Sequence, residues 1–337
     1  MTEPAETSAP TPSAEPYTSK PLQEPPDPRV RTLVQAAKQR RLVLYAGAGL
    51  SKAPPSGGPT GWDVANRLRA HAARILGVDV SELHECSLEE LSKRVAETAP
   101  QHLDGLREHA ARAFDFRAME PNFGHEVAAL LLREGLIQLI SVNWDCGVET
   151  AGMRADVRIQ GVATPAQRLQ LVQELPLYKV HGCATQPRTL ALTQAEVDEP
   201  QRWAVAQVQN AITGGVVVFV GLGTVGLYVR EPVAEVTTIW AADASSVHVV
   251  DPELREPWRQ SLGDRAEEAH IAMSADAFFD DLLRAVLLDT LDGVDEAAQV
   301  LAEHEAWAVD MSDGVRQLRD ALGVCRRIPC FGGGATE

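Results

Sequence analysis

"LVLYAGAGLSKAPPSGGPTGW", Leu42 to Trp62, begins as an apolar run and breaks into a loop of glycine, proline and small polar residues. A short apolar run closed by a glycine turn reads as a strand buried on both faces. At its end Gly47, Ala48 and Gly49 keep bulky side chains off the backbone, and Ser51 follows. Such a turn lets backbone N–H groups approach a phosphate, with the next helix adding partial positive charge. The same glycines are equally what a tight turn requires.

Working outward, charge alternates with apolar positions from Val30 to Arg41, a short helix leading into this first strand. After the loop, Val64, Leu68, His71, Ile75, Leu88, Leu91 and Val95 follow a helical period with no convincing strand, so residues 62–118 read as a helical insert. Pro121 opens a further helix with Val127, Leu130 and Leu131 on one face, Gly135 ends it, and "LIQLISV" is a buried strand. "LYKVHG" (177–182), a helix near Glu199 to Thr213, "GVVVFVGLG" (215–223), a helix around Arg230, "SVHVVD" (246–251) and a closing helix from Asp276 to Leu288 continue the alternation. The pattern predicts an α/β fold: a Rossmann-like, doubly wound parallel sheet with a helical insert after the first strand and a C-terminal helical extension. Residues 1–28, rich in Pro, Glu, Ser and Thr, read as a disordered tail, 29–290 as the main domain, 291–325 as an amphipathic helix and 326–337 as a flexible tail.

A net charge of -16 excludes an autonomous nucleic-acid binder, which would carry a basic stripe, but leaves room for a small anionic ligand held by backbone amides. No apolar run reaches bilayer length and no hydrophobic signal region opens the chain, so a soluble protein is expected. Cys86, Cys146, Cys183, Cys325 and Cys330 are scattered and odd in number, which reads as free thiols in a reducing cytoplasm.

Several strand ends carry polar residues, and ligands of open α/β sheets bind at that edge. Asn143 and Asp145 could grip a carboxamide and order a water, or make an Asx turn before the next helix. His181 stands on the same rim, as a general base or as a structural histidine. Cys183 beside it reads as a small packing residue, and Trp144 as a stacking or a core side chain. Gly221, Gly223 and Thr224 suit a phosphate or ribose contact and Asp251 a ribose hydroxyl, Thr224 and Asp251 being equally plausible helix caps.

In this order the motifs resemble the sirtuin-like family: Gly47 to Ser51, Pro121-Asn122 with His125, Asn143-Trp144-Asp145, His181-Gly182, Gly223-Thr224 and the late strand end at Asp251. The resemblance runs from Arg41 to Leu288, which makes 29–290 an NAD-binding catalytic domain. Between His181 and Gly223 stands one cysteine, Cys183, where protein-deacylating members carry two C-x-x-C half-sites, so the zinc module is absent. Ser141-Val142 replace the threonine-glutamine pair of those deacylases, and "PTGW" (Pro59 to Trp62) fits the bacterial antiphage NAD hydrolase branch. The resemblance implies that NAD is the substrate, cleaved to nicotinamide and ADP-ribose without a metal. Asn143 would hold the ribose and water, Asp145 the carboxamide, and His181 act as base or hydroxyl partner. Gly47, Ala48, Gly49, Ser51, Trp62, Gly221, Gly223, Thr224 and Asp251 would bind the dinucleotide. It also implies a triggered enzyme, a homo-oligomer, and a partner ATPase or Argonaute-type sensor. Two alternatives stay open: a zinc-free NAD-dependent deacylase and a non-catalytic sensor of NAD-derived nucleotides.

Overall fold

A computed structural model of the protein describes residue 15 and residues 17–223, 226–239 and 246–303. Seven parallel strands form one sheet in the order β3-β4-β2-β1-β5-β6-β7. They are β1 (Leu42–Ala46), β2 (Gln138–Ser141), β3 (Ile159–Val162), β4 (Leu175–Lys179), β5 (Val216–Val220), β6 (Val247–Val250) and β7 (His270–Ile271). The expected doubly wound α/β architecture is present. β1 lies at the centre, with Tyr45 opposite Ile140 of β2 and Phe219 of β5. The chain winds first to one side of β1 and later to the other, which puts the topological switch point at the end of β1.

Every β1 side chain is buried because both faces are covered. Leu42, Leu44 and Ala46 pack with α1 (Pro28–Lys38), α5 (Phe123–Arg133), α6 (Gly147–Arg154) and α13 (Ala275–Glu303). Val43 and Tyr45 face α9 (Arg202–Gly214), α10 (Leu227–Ile239), α11 (Glu256–Leu262) and α12 (Ala266–Ala269). The short helices α7 (Pro165–Gln170) and α8 (Gln194–Asp198) precede β4 and α9. Between β1 and β5 the chain also forms α2 (Gly61–Leu76), α3 (Leu88–Thr98) and α4 (Leu103–Ala113), the helical insert, whose separate core takes in Ala184, Leu190 and Leu192 from the loop after β4.

Two boundaries differ from the sequence reading. Residues 17–27 are not a disordered tail. Ser19 and Leu22 are buried, and Tyr17 and Ser19 donate hydrogen bonds to Asp280 of α13, as the backbone N–H of Asp27 does to Asp281. Arg284, fully buried, binds both carboxylates and the Glu24 carbonyl. A few apolar contacts, from Leu22 and from Tyr17 against Phe123, and hydrogen bonds to acidic residues of α13 hold this segment, so its composition hid it. The closing helix runs unbroken from Ala275 to Glu303, across the boundary expected at residue 290. Residues 1–14, the rest of the expected C-terminal extension and Thr224 lie outside the described residues. Among the described residues, no helix is long and apolar enough to cross a membrane.

The loops after β1 and β5 meet backbone to backbone. The Gly49 N–H donates to the Gly221 carbonyl at 2.9 Å, and a Cβ on either glycine would sit 2.6 Å from the other's Cα. Gly221 also has φ +64°. Gly221→Ala is therefore expected to cost at least about 2 kcal/mol, combining left-handed strain with overpacking. Gly105→Ala, in open space inside α4, should instead add about 0.5–1 kcal/mol. Urea unfolding of the two variants checks the opposite signs.

Candidate functional site

Three loops at the carboxyl edge of β1, β2 and α5's N-terminus share one buried hydrogen-bond network. Asn122 caps α5 reciprocally with His125: the His125 N–H donates to Asn122 Oδ1 at 3.1 Å, and the Asn122 N–H donates to His125 Nδ1 at 3.2 Å. Asn122 Nδ2 also donates to the Leu50 carbonyl at 2.7 Å, tying α5 to the first loop. With Nδ1 accepting, the neutral His125 ring carries its proton on Nε2, which lies 3.1 Å from Ser51 Oγ. Burial is the main cause that drives the His125 pKa down to about 4, against the pull of Asp145. The imidazole is neutral at neutral pH.

Ser51 Oγ donates to Asp145 Oδ2 at 2.8 Å and lies 3.0 Å from the Asn143 Nδ2 donor. One donated and two accepted bonds saturate the hydroxyl. Serine, histidine and carboxylate are thus in contact without forming a nucleophile–base pair: the histidine donates to the serine. The other Asn143 amide hydrogen goes to the Gly47 carbonyl at 3.0 Å. Asn143 Oδ1 has no partner among the described hydrogen bonds, and the residue is partly exposed. Asp145 is 7% exposed, and its Oδ1 accepts from the Gly147 N–H at 3.0 Å at the start of α6. Ser51 and Asp145, expected to touch the ligand, have their polar atoms turned into the protein instead. Ser51 holds the Asn143 amide directly, and Asp145 holds Ser51.

His181 belongs to a second cluster. It follows β4 by two residues, and Gly182 after it, at φ +92°, packs so closely under Thr189 that a Cβ would lie 2.2 Å from that carbonyl. His181 Nε2 is 3.0 Å from the Tyr228 hydroxyl, which in turn meets the Tyr45 hydroxyl. Tyr45 is fully buried, burial being the main cause of its raised pKa, and Tyr228 is its described hydroxyl partner. A stranded buried donor costs more than a spare lone pair, so Tyr45 donates to Tyr228, Tyr228 donates to His181 Nε2, and the His181 proton sits on Nδ1. Burial brings the His181 pKa down to about 4, Asp198 opposing it. No hydrogen bond among the described residues joins His181 to Asn143. Tyr45 and Tyr228 escaped the sequence reading because tyrosines in a strand and on an apolar helix face look like core.

The remaining expected residues are more dispersed. Ala48 is exposed on the first loop. Gly223 lies beneath the Arg255 guanidinium, whose Nη1 would be 3.0 Å from a Cβ there, a cation at the rim that no motif announced. Asp251 accepts from the Glu253 N–H at 3.1 Å in an Asx-type turn. Trp62 is 46% exposed on α2 with the Arg69 guanidinium 4.5 Å from its ring centre, and no described contact links it to Asn143 or His181. Trp144 packs edge-on against Phe116, at the core of the insert. A cavity of about 530 Å³ is lined by Arg112, Arg117, Arg188 and Thr189, and includes none of the rim residues.

Below the rim, Cys146, Glu149 and Cys183 bring ligand-type atoms within 4.8 Å of one another. Lys179 supplies the cation there: its ammonium is 3.0 Å from Glu149 Oε1 and 3.5 Å from Cys183 Sγ, and also donates to the Asp145 carbonyl. Burial pulls the Lys179 pKa down, but Glu149 first and the two cysteines after it raise it further, so it stays charged.

No family model matches the chain, and no curated protein sequence matches it. Among solved structures it is similar to an NAD complex of a Sir2 homologue, at 15% identity over 77% of this chain and 94% of that one, with a TM-score of 0.47. A mutant Sir2 homologue bound to ADP-ribose is similar at 14% identity over 77% and 97%, TM-score 0.47. A structure from work on the mechanism and regulation of Sir2 enzymes is similar at 13% identity over 79% and 100%, TM-score 0.44. At these values the likeness assigns no activity.

Acid should loosen this site in a defined window. His125 binds its proton at about 4 folded against 6.5 unfolded. Between those values the unfolded chain holds the extra proton, so stability falls as pH drops through the window, by about 3 kcal/mol for a shift of this size. Urea unfolding from pH 7 to 4.5 should show that decline together with a like share from His181, and His125→Gln should remove about half of the whole.

Proposed function

We propose that the chain binds NAD⁺ at the β1–β2–β4 rim and hydrolyses the bond between nicotinamide and ribose. The observation that carries this reading is Asn143: both amide hydrogens are fixed by Gly47 and Ser51, so Oδ1 is presented as a pre-aimed acceptor at the switch point. There it orients a ribose hydroxyl or the attacking water. Water adds to the anomeric carbon as the C–N bond breaks, giving nicotinamide, ADP-ribose and one proton.

His181 serves as a hydroxyl partner through Nδ1–H, its ring held by Tyr228. Asp145 and Ser51 act through Asn143. Gly47, Ala48, Gly49, Gly221, Gly223 and Thr224 would frame the pyrophosphate, Arg255 would add charge to it, and Asp251, through the oxygen that accepts no described hydrogen bond, would meet the adenosine ribose. The motif order adds the setting: a triggered NAD hydrolase of bacterial antiphage defence, kept inactive until a partner or oligomer forms.

Incubation of the protein with NAD⁺ over protein concentrations up to those at which it self-associates, followed by chromatography of nicotinamide, ADP-ribose and cyclic products, tests the reaction. Asn143→Ala and His181→Ala should each lower turnover by ~10²-fold or more, with the fold intact by circular dichroism. Turnover should stay level from about pH 6 to 8 and drop below about pH 5, as His181 begins to protonate. Undiminished turnover in a folded Asn143→Ala protein would remove the reading.

A further inference from the structure

The two sulfurs beneath the rim are unlike each other. Cys183 Sγ has Lys179 Nζ at 3.5 Å and Thr185 Oγ1 at 3.1 Å, whereas Cys146 has the Cys183 sulfur as a near neighbour, within 4.8 Å. Hydrogen bonding from Cys146 is the main cause that holds the Cys183 thiol down, at about 4, with the Lys179 ammonium adding to it against burial. The same contact pushes Cys146 up. Cys183 has the cation and the hydroxyl beside its sulfur, and Cys146 has that sulfur as its neighbour, the arrangement of an attacking and a resolving cysteine.

We propose that Cys183 and Cys146 form an oxidative modification site, in which a small peroxide converts the pair to an intramolecular disulfide. The Cys183 thiolate attacks one peroxide oxygen and the O–O bond breaks. The leaving hydroxide takes a proton and departs as water, and Cys183 becomes a sulfenic acid. The Cys146 thiol then attacks that sulfur and the S–O bond breaks, releasing a second water. Two cysteines lose two electrons and the peroxide gains them. The proton that balances the equation comes from bulk water. Glu149, whose carboxyl burial pushes up, lies 3.0 Å from the Lys179 ammonium, so the buried cation keeps an acidic neighbour when the thiolate is consumed. Both cysteines are buried, at 2% and 7% exposure, so the oxidant proposed is a small one. The bridge would join the residue after Asp145 to the second residue after His181, fastening the β2 and β4 loops together.

The test reads mass rather than NAD turnover, so it stands or falls separately from the proposed hydrolysis. In a Cys325→Ser/Cys330→Ser background the remaining thiols are Cys86, Cys146 and Cys183. Hydrogen peroxide should lower the mass by two hydrogens, reduce the thiols titrated in denaturant from three to one, and yield a non-reduced peptide pair linking Cys146 to Cys183 that dithiothreitol separates. With Cys146→Ser, dimedone present as the peroxide-treated protein is unfolded in denaturant should label Cys183. With Cys183→Ser, Cys146 should stay unlabelled. Oxidation confined to Cys86, sulfinic acid at Cys183 without a link, a glutathione adduct from oxidised glutathione, or dimedone on Cys146 would each overturn the proposal.

Discussion

The contact between Gly49 and Gly221 is the constraint from which the rest of the rim follows. Side chains are excluded where the loops after β1 and β5 touch, so the two backbones close to hydrogen-bond distance across the switch point. The first loop therefore faces β2 with its own carbonyl, and Asn143 hangs from that carbonyl at Gly47. Glycine here answers first to chain-on-chain packing. A dinucleotide, on the proposed reading, uses a floor that the protein already needs.

That floor is rigid because its polar atoms are satisfied in a single direction. Asn122 fixes the His125 tautomer, His125 and Asn143 donate to Ser51, and Ser51 donates to Asp145, whose other oxygen takes the α6 amide. Reversing any member would strand a buried donor, which low dielectric makes expensive. Asp145 brings a buried charge, and the Lys179 ammonium bound to its carbonyl lies just behind. Burial has a second effect: it keeps the histidine neutral, which the network requires.

Much of this was visible in the residues because buried parallel strands are written as apolar runs. β1, β2, β4, β5 and β6 were read that way. β3, with Gln160 and Gly161 in four residues, and β7, with two residues, carry no such run; pairing with β4 and β6 makes them strands. Polar rim positions were legible as residues at strand ends, but not their directions. Asn143 and Asp145 sit two apart in the chain, yet one presents a free oxygen outward and the other turns inward. Lys179, inside "LYKVHG", drew no reading, because its partners Asp145, Glu149 and Cys183 come from other segments. The docked stretch from Tyr17 to Asp27 was hidden for the same reason, since its anchors lie in α13.

The charge state of the rim bears on the proposed chemistry. In NAD⁺ the nicotinamide leaves as a neutral ring, so no acid is needed to help it depart, and positive charge gathers on the ribose. An imidazolium nearby would oppose that charge. Both rim histidines bind protons only at about 4, so near neutrality they present dipoles and no net charge. The surroundings add a carboxylate, a carboxamide oxygen and backbone carbonyls, all negative ends of dipoles or charges. Such a site favours a cationic sugar over its neutral precursor without a strong base, which is why the Asn143 oxygen, rather than either histidine, is the group on which the proposed hydrolysis turns.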